Sequence, residues 1–258
     1  MNTTYANPVE STMNERLTYL AELEIEHPSY GLLDQPSGLK MDETKPEAYV
    51  DGGGLVSFVA GVSEEHRSDV LNSTLLAQLA ANKAFDREKQ TVDWYRKYRE
   101  VLEKVGWVVE NFDFTRFKAG GSTFDVDAVV ASVLEAIATK DDKKIVKQTI
   151  DAVRALDDGD GRLTIWNQES HELDKGNFQI SVCAEADDVV AMKLGAFYFS
   201  TKDNVTRVLW FRFSSSKTEF YKGAQTVTLN EEVYEQVRKV VLKKLGKSAE
   251  DYVGNLDI

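Results

Sequence analysis

The 258-residue chain holds one cysteine, three histidines and four prolines, and its apolar runs all stop short of the ~18 residues a membrane-spanning helix needs. With Cys183 alone, an intrachain disulfide, a cysteine-based metal centre and a CxxC redox pair are all excluded. His27, His66 and His171 share no ligand spacing, and HExxH and GxSxG motifs are absent. The sequence is accordingly read as non-enzymatic, without metal or cofactor. Basic residues number 31 against 43 acidic ones, a formal charge of -12. No Lys/Arg cluster offers the footprint that displaces counterions from phosphates, so nucleic acid is excluded as a partner. The N-terminus lacks a basic segment followed by an apolar one, which predicts synthesis in the cytoplasm without a signal peptide, with non-classical or lytic release for any outside role.

Proline is confined to Pro8, Pro28, Pro36 and Pro46. Because it breaks helix interiors and central strands, residues 1–50 are read as an N-terminal arm with one short helix near 13–23. Residues 51–258 are then one domain, with a helical half at 63–156, a strand-rich half at 162–228 and a C-terminal helix at 230–246. Ser63 and Asn230 have N-cap chemistry, Asp86 is read as a third cap, and Gly106 and Gly246 close helices. The segment 125–138 carries Val126, Val129, Val130, Val133, Leu134 and Ile137, apolar around much of its circumference, which predicts a buried helix or one awaiting a partner. A second helix spans 142–156, and 107–114 alternates as a strand.

Strands are expected at 163–167, 178–185, 189–200, 205–214 and 218–228, joined by short turns such as Asp187-Asp188 and therefore antiparallel. A last turn is expected at 248–253. Two of these strands are apolar on both faces: Met192 opposite Phe197 and Phe199, and Leu209, Phe211 and Phe213 opposite Val208 and Trp210. Strands of that kind are covered on both sides. The fold class is α/β (α+β): a three-layer α/β/α arrangement in which helical hairpins flank a central antiparallel sheet.

Several polar groupings invite sharper readings. Asp51-Gly52-Gly53-Gly54 lacks the Gly-Lys-Ser/Thr of a phosphate loop and is read as a turn. Glu64, Glu65, His66 and Asp69 suit the polar first turn of a helix better than a metal site. Asp158-Gly159-Asp160-Gly161 lacks the central glycine of a calcium loop. Cys183 is either a small half-buried strand residue or the acceptor of an acyl thioester.

The succession 162–167 (Arg-Leu-Thr-Ile-Trp-Asn), 178–183 (Phe-Gln-Ile-Ser-Val-Cys), 192–199 (Met-Lys-Leu-Gly-Ala-Phe-Tyr-Phe) and 208–213 (Val-Leu-Trp-Phe-Arg-Phe) resembles the C-terminal sheet of the cytolytic (Cyt-type) delta-endotoxins. Gly195-Ala196-Phe197 stands where that family has valine-glycine-phenylalanine. Volvatoxin-type cardiotoxins and Evf-type virulence factors belong to the same superfamily. The likeness spans 125–230, with 51–115 similar in element order, and the helix at 230–245 departs from the mostly extended chain of the toxins. The resemblance implies a single α/β/α domain that binds lipid, sheds its helices, and forms pores through strands in a homo-oligomer. On that reading Met192, Phe197, Phe199, Trp210, Phe211 and Phe213 meet lipid, and the partner is a lipid bilayer or a fatty acyl chain. Two alternatives stay open: a soluble fatty-acyl carrier with a pocket lined by 125–138, and an assembly protein that uses the fold without lipid.

Overall fold

The computed structural model describes residues 13–27, 41–109, 113–135, 137–246, 252–256 and 258. The sites of Pro8, Pro28 and Pro36, and most of the turn expected at 248–253, lie outside them.

In chain order the elements are α1 (Met13–Glu22), β1 (Glu47–Asp51), β2 (Gly54–Phe58), α2 (Glu64–Ala84), α3 (Thr91–Val105), β3 (Trp107–Val108), β4 (Thr115–Arg116), β5 (Thr123–Asp125), α4 (Val126–Glu135) and α5 (Lys140–Ala155). There follow α6 (Gly161–Ser170), β6 (His171–Glu172), β7 (Lys175–Ala186), β8 (Val189–Thr201), a 3-10 turn (Val208–Trp210), β9 (Arg212–Ser214), β10 (Thr218–Leu229), α7 (Glu231–Leu245) and β11 (Val253–Leu256). The main sheet runs β11-β1-β2-β7-β8-β10-β3, with β4 added to β10 and β6 to β7. All its pairings are antiparallel except β2–β7. The boundary expected at residue 50 falls inside β1, and Leu20, Leu23 and Ile25 from the expected arm are buried in the core.

The sheet is covered on both faces, so the fold is the three-layer α/β/α class. On one face α1, α2, α3 and α7 pack over Tyr49, Val56, Phe58, Met192, Leu194 and Val227. On the other, α4, α5 and α6 pack over Val50, Leu55, Phe178, Ile180, Phe197 and Phe220. The helical hairpins α2–α3 and α4–α5 thus lie on opposite sides. Alternation along each strand sends neighbouring residues into different layers, and a one-residue slip would exchange the two cores.

Local chemistry explains most element ends. The Ser63 side chain accepts from His66 N, and the Asn230 side chain from Val233 N. Thr139 and Asp142 close a reciprocal capping box on α5. Asp187 and Asp188 sit at φ 52° and 60°, the left-handed pair of a two-residue hairpin between β7 and β8. Gly106 ends α3 at φ 115°, its N–H reaching Glu103 and Leu102 carbonyls, and a Cβ there would lie 3.2 Å from the Asn230 carbonyl. Gly106→Ala is therefore expected to cost about 1–2 kcal/mol, read as a lower urea midpoint at unchanged slope.

Three expectations are corrected. Residues 163–167 are helical, because the Asp160 side chain caps Arg162 N and starts α6, which puts Leu163 and Trp166 together in the core. A five-residue apolar run fits either period, and the cap decides it. Residues 205–214 form no long strand: β10 pairs with β8 from Thr218↔Thr201 to Thr228↔Ala191, so that edge is occupied. The segment folds instead into the 3-10 turn and β9, which pairs only with β5. Asp86 caps no long helix; its carboxylate accepts from the backbone N–H groups of Glu88 and Lys89 in a separate turn before α3. Of the strand expected at 107–114, Trp107–Val108 is present and residues 110–112 lie outside the described chain.

Candidate functional site

Three long neighbouring strands dominate the sheet: β7, β8 and β10, of 12, 13 and 12 residues. At ~3.4 Å per residue each is about 40 Å long, more than a tilted membrane strand of ~9–11 residues requires. Even-numbered residues of β7 and odd-numbered residues of β8 face α4, α5 and α6. On that face β7 presents Phe178, Ile180, Val182 and Ala184, and β8 presents Phe197 and Phe199. Phe178 and Phe197 stack at 5.1 Å, and Phe199 meets Phe213 at 4.8 Å. The opposite face of β7 carries Asn177, Gln179, Ser181 and Cys183. β7 is thus far more apolar towards α4–α5 than towards α2–α3, while β8 presents Val190, Met192, Leu194 and Ala196 to the α2–α3 layer.

One charge interrupts the apolar face: Lys193, whose ammonium is paired with Asp142 at the start of α5. Burial opposes ionisation of Asp142, yet hydrogen bonds from Lys193 and from the Thr139 N–H and hydroxyl hold its carboxyl below the usual range. Nearby, the buried hydroxyls of Ser57 in β2 and Thr149 in α5 are 2.8 Å apart. The rest of this layer meets the sheet through Val126, Val129, Val130, Val153 and their like.

The other layer is stitched to the sheet by buried charge. Arg67 of α2 is fully buried, 2.6 Å from Glu47 of β1, and donates to the Lys45 carbonyl at 3.0 Å. His66 lies 2.8 Å from Glu185 of β7, and Gln179 donates to the Tyr95 hydroxyl of α3 at 2.8 Å. Thr74 and Gln78 of α2 donate to Asp51 at the end of β1. Asp51 is wholly buried, and one of its carboxylate oxygens has no hydrogen-bond partner among the described residues. Burial pushes its pKa up to about 7, against the opposing Thr74 hydrogen bond. Glu65, Asp69 and Glu231 also converge, but the Arg238 guanidinium fills the space between them at 2.8, 2.7 and 2.6 Å, so the cluster already holds its cation.

The six side chains expected to meet lipid are only partly brought together. Phe197, Phe199 and Phe213 form one buried aromatic group under α4 and α6, with Phe211 against Phe213 at 4.8 Å. Trp210, in the 3-10 turn beneath the Arg207 guanidinium, is partly buried against the same cluster. Met192 faces the α2–α3 layer, across β7–β8 from Cys183. Cys183 is fully buried there, and burial raises its thiol pKa, which disfavours the thiolate that acylation needs. Lys193–Asp142 and Asp51 were missed by sequence reasoning. A lysine inside an apolar strand was the available signal for the first.

No family model matches this sequence, and no curated protein does. Among solved structures the chain is similar to the Evf virulence factor (13% identity, TM-score 0.35, 80% of this chain and 85% of that one). A delta-endotoxin gives 13% identity and a TM-score of 0.34, with 76% and 88% covered. Activated Cyt2Ba from Bacillus thuringiensis subsp. israelensis gives 12% and 0.25, with 52% and 79% covered. These are the kinds of protein that the sequence resemblance names. With TM-scores below 0.5, they add nothing to what this chain's own geometry supports.

Proposed function

We propose that this chain is a non-enzymatic, membrane-interacting protein of the cytolytic or virulence kind, whose α4–α5 layer leaves the sheet at a lipid surface and lets the long strands meet the bilayer. The observation that carries the reading is the β7–β8 face: apolar along its length, hidden by α4–α5, and interrupted by one charge that the covering helix itself neutralises. Hydrocarbon can replace α4–α5 as the cover. Each buried Val, Leu or Phe is worth roughly 1.5–3 kcal/mol out of water, and that gain is recovered against lipid. Among the described residues no helix is long and apolar enough to cross a membrane. Strands in hydrocarbon must pair on both edges, so insertion calls for oligomerisation into a closed sheet. Lys193, parted from Asp142, then snorkels to the headgroups or faces a lumen.

Dye-loaded vesicles test the reading. Micromolar protein should empty phosphatidylcholine vesicles and act more slowly on anionic ones, since a chain of formal charge -12 is repelled by them. Intact vesicles of both kinds, with protein that remains folded, would overturn it.

A further inference from the structure

His66 stands in the first turn of α2, where the helix dipole disfavours a cation, yet its ring lies between two carboxylates from other elements. Nδ1 is 2.8 Å from Glu185 Oε2, near the end of β7, and Nε2 is 3.3 Å from Glu231 Oε2, in the first turn of α7. The ring is buried, and the Glu185 side chain nearly so.

The two carboxylates are unequally provided for. Glu185 Oε2 also accepts from the Ser63 N–H and hydroxyl, at 2.9 and 3.1 Å. Glu231 accepts from Arg238 through Oε1, whereas its Oε2 is buried and has no hydrogen bond among the described residues. Asp69, one turn further along α2, adds a third negative charge, and the nearby cation, Arg238 of α7, is already held by Glu65, Asp69 and Glu231. A neutral imidazole has one N–H and one lone pair, so in either tautomer one ring nitrogen would turn a lone pair on a carboxylate oxygen. The imidazolium has a donor for each.

We propose that His66 is a pH-operated latch: as the imidazolium it ties the end of β7 to the first turn of α7 through α2, and on losing its proton it lets that turn of α7 open, because Glu231 Oε2 is left without a donor. Burial of the ring opposes the charge, but Glu185, Glu231 and Asp69 outweigh it and hold the pKa above 6.5. The stabilisation is thus complete below the ordinary histidine value and is lost as pH rises through the raised one. The latch acts in the α2–α3–α7 layer, so it stands or falls independently of the departure of α4–α5.

Imidazole proton–nitrogen NMR of the full wild-type chain from about pH 5 to 9 tests it. His66 should carry protons on both ring nitrogens at pH 7 and titrate above 6.5. His171, which burial holds below that value, should be neutral there. Hydrogen exchange of the Tyr234 amide, which donates to the Asn230 carbonyl, reads the latch itself. Its protection, corrected for the intrinsic rate, should fall about tenfold for each unit by which the His66 midpoint exceeds the ordinary value. His66→Gln should abolish that fall, and Glu231→Gln should lower the His66 midpoint. A His66 ring that is neutral at pH 7 overturns the proposal. So does Tyr234 protection that stays level while His66 titrates, or a fall that persists in His66→Gln.

Discussion

Asp51→Asn is expected to remove the part of the wild-type chain's loss of stability between about pH 4 and pH 7 that this one buried carboxyl causes. The Asp51 carboxyl is fully buried beside Thr74 and Gln78, and among the described residues no cation is bonded to it and one oxygen is unpartnered. Its pKa is pushed from 3.8 to about 7 in the folded chain. Below the ordinary value both folded and unfolded chains hold the proton, and stability is unimpaired. As pH rises through the window the unfolded chain releases its proton while the folded chain keeps it, so stability falls. Above about pH 7 the penalty is complete, and three units at ~1.36 kcal/mol each make it about 4 kcal/mol. The amide carries no charge at any pH, so the variant should be the more stable protein at pH 8. Other carboxyls shift in both directions, Glu169 upward and Glu185 downward, and the difference between wild type and variant isolates Asp51. Parallel wild-type and Asp51→Asn profiles in urea titrations from pH 4 to 8 would contradict this account.

Much of the framework was legible because it is local. Ser63, Asn230 and Gly106 mark helix ends through bonds made within a few residues, and Asp187-Asp188 marks a hairpin through its own backbone conformation. The two apolar faces of β8 pointed to cover on both sides, and the apolar circumference of α4 pointed to a helix that is buried or awaits a partner. Elements decided by distant partners were not legible. The apolar, aromatic residues 205–214 suit a strand, yet β10 takes the place beside β8 and leaves them only the short ladder of β9 with β5. The 163–167 run fits both periods, and its position against Phe178 is a tertiary fact.

The same division holds at the candidate site. Phe197, Phe199 and Phe213 were recognisable as apolar strand residues, and they do meet. Trp210 packs at the edge of the same cluster from a turn, and Met192 alone points to the opposite layer. Asp51 precedes three glycines and reads as a solvated turn; only the packing of α2 over the end of β1 shows it to be buried. Lys193 and Asp142 are far apart in sequence, and neither announces the other. Their pairing ties α5 to the sheet at the one charged point of an apolar face.

The departure of α4–α5 is open to a direct test, because the Ser57 and Thr149 hydroxyls, 2.8 Å apart, bridge β2 and α5. That spacing is compatible with the ~3.5–4.5 Å Cβ separation of a disulfide. In Ser57→Cys/Thr149→Cys the oxidised protein has α5 bonded to the sheet, and the reduced protein does not. Cys183 is buried on the other face and cannot compete for the bond. Vesicle dye release by the oxidised and reduced forms is the decisive measurement. The account predicts no release when the bond is closed and wild-type release once a reductant opens it. Equal release by both forms would show that the strands never need to be uncovered.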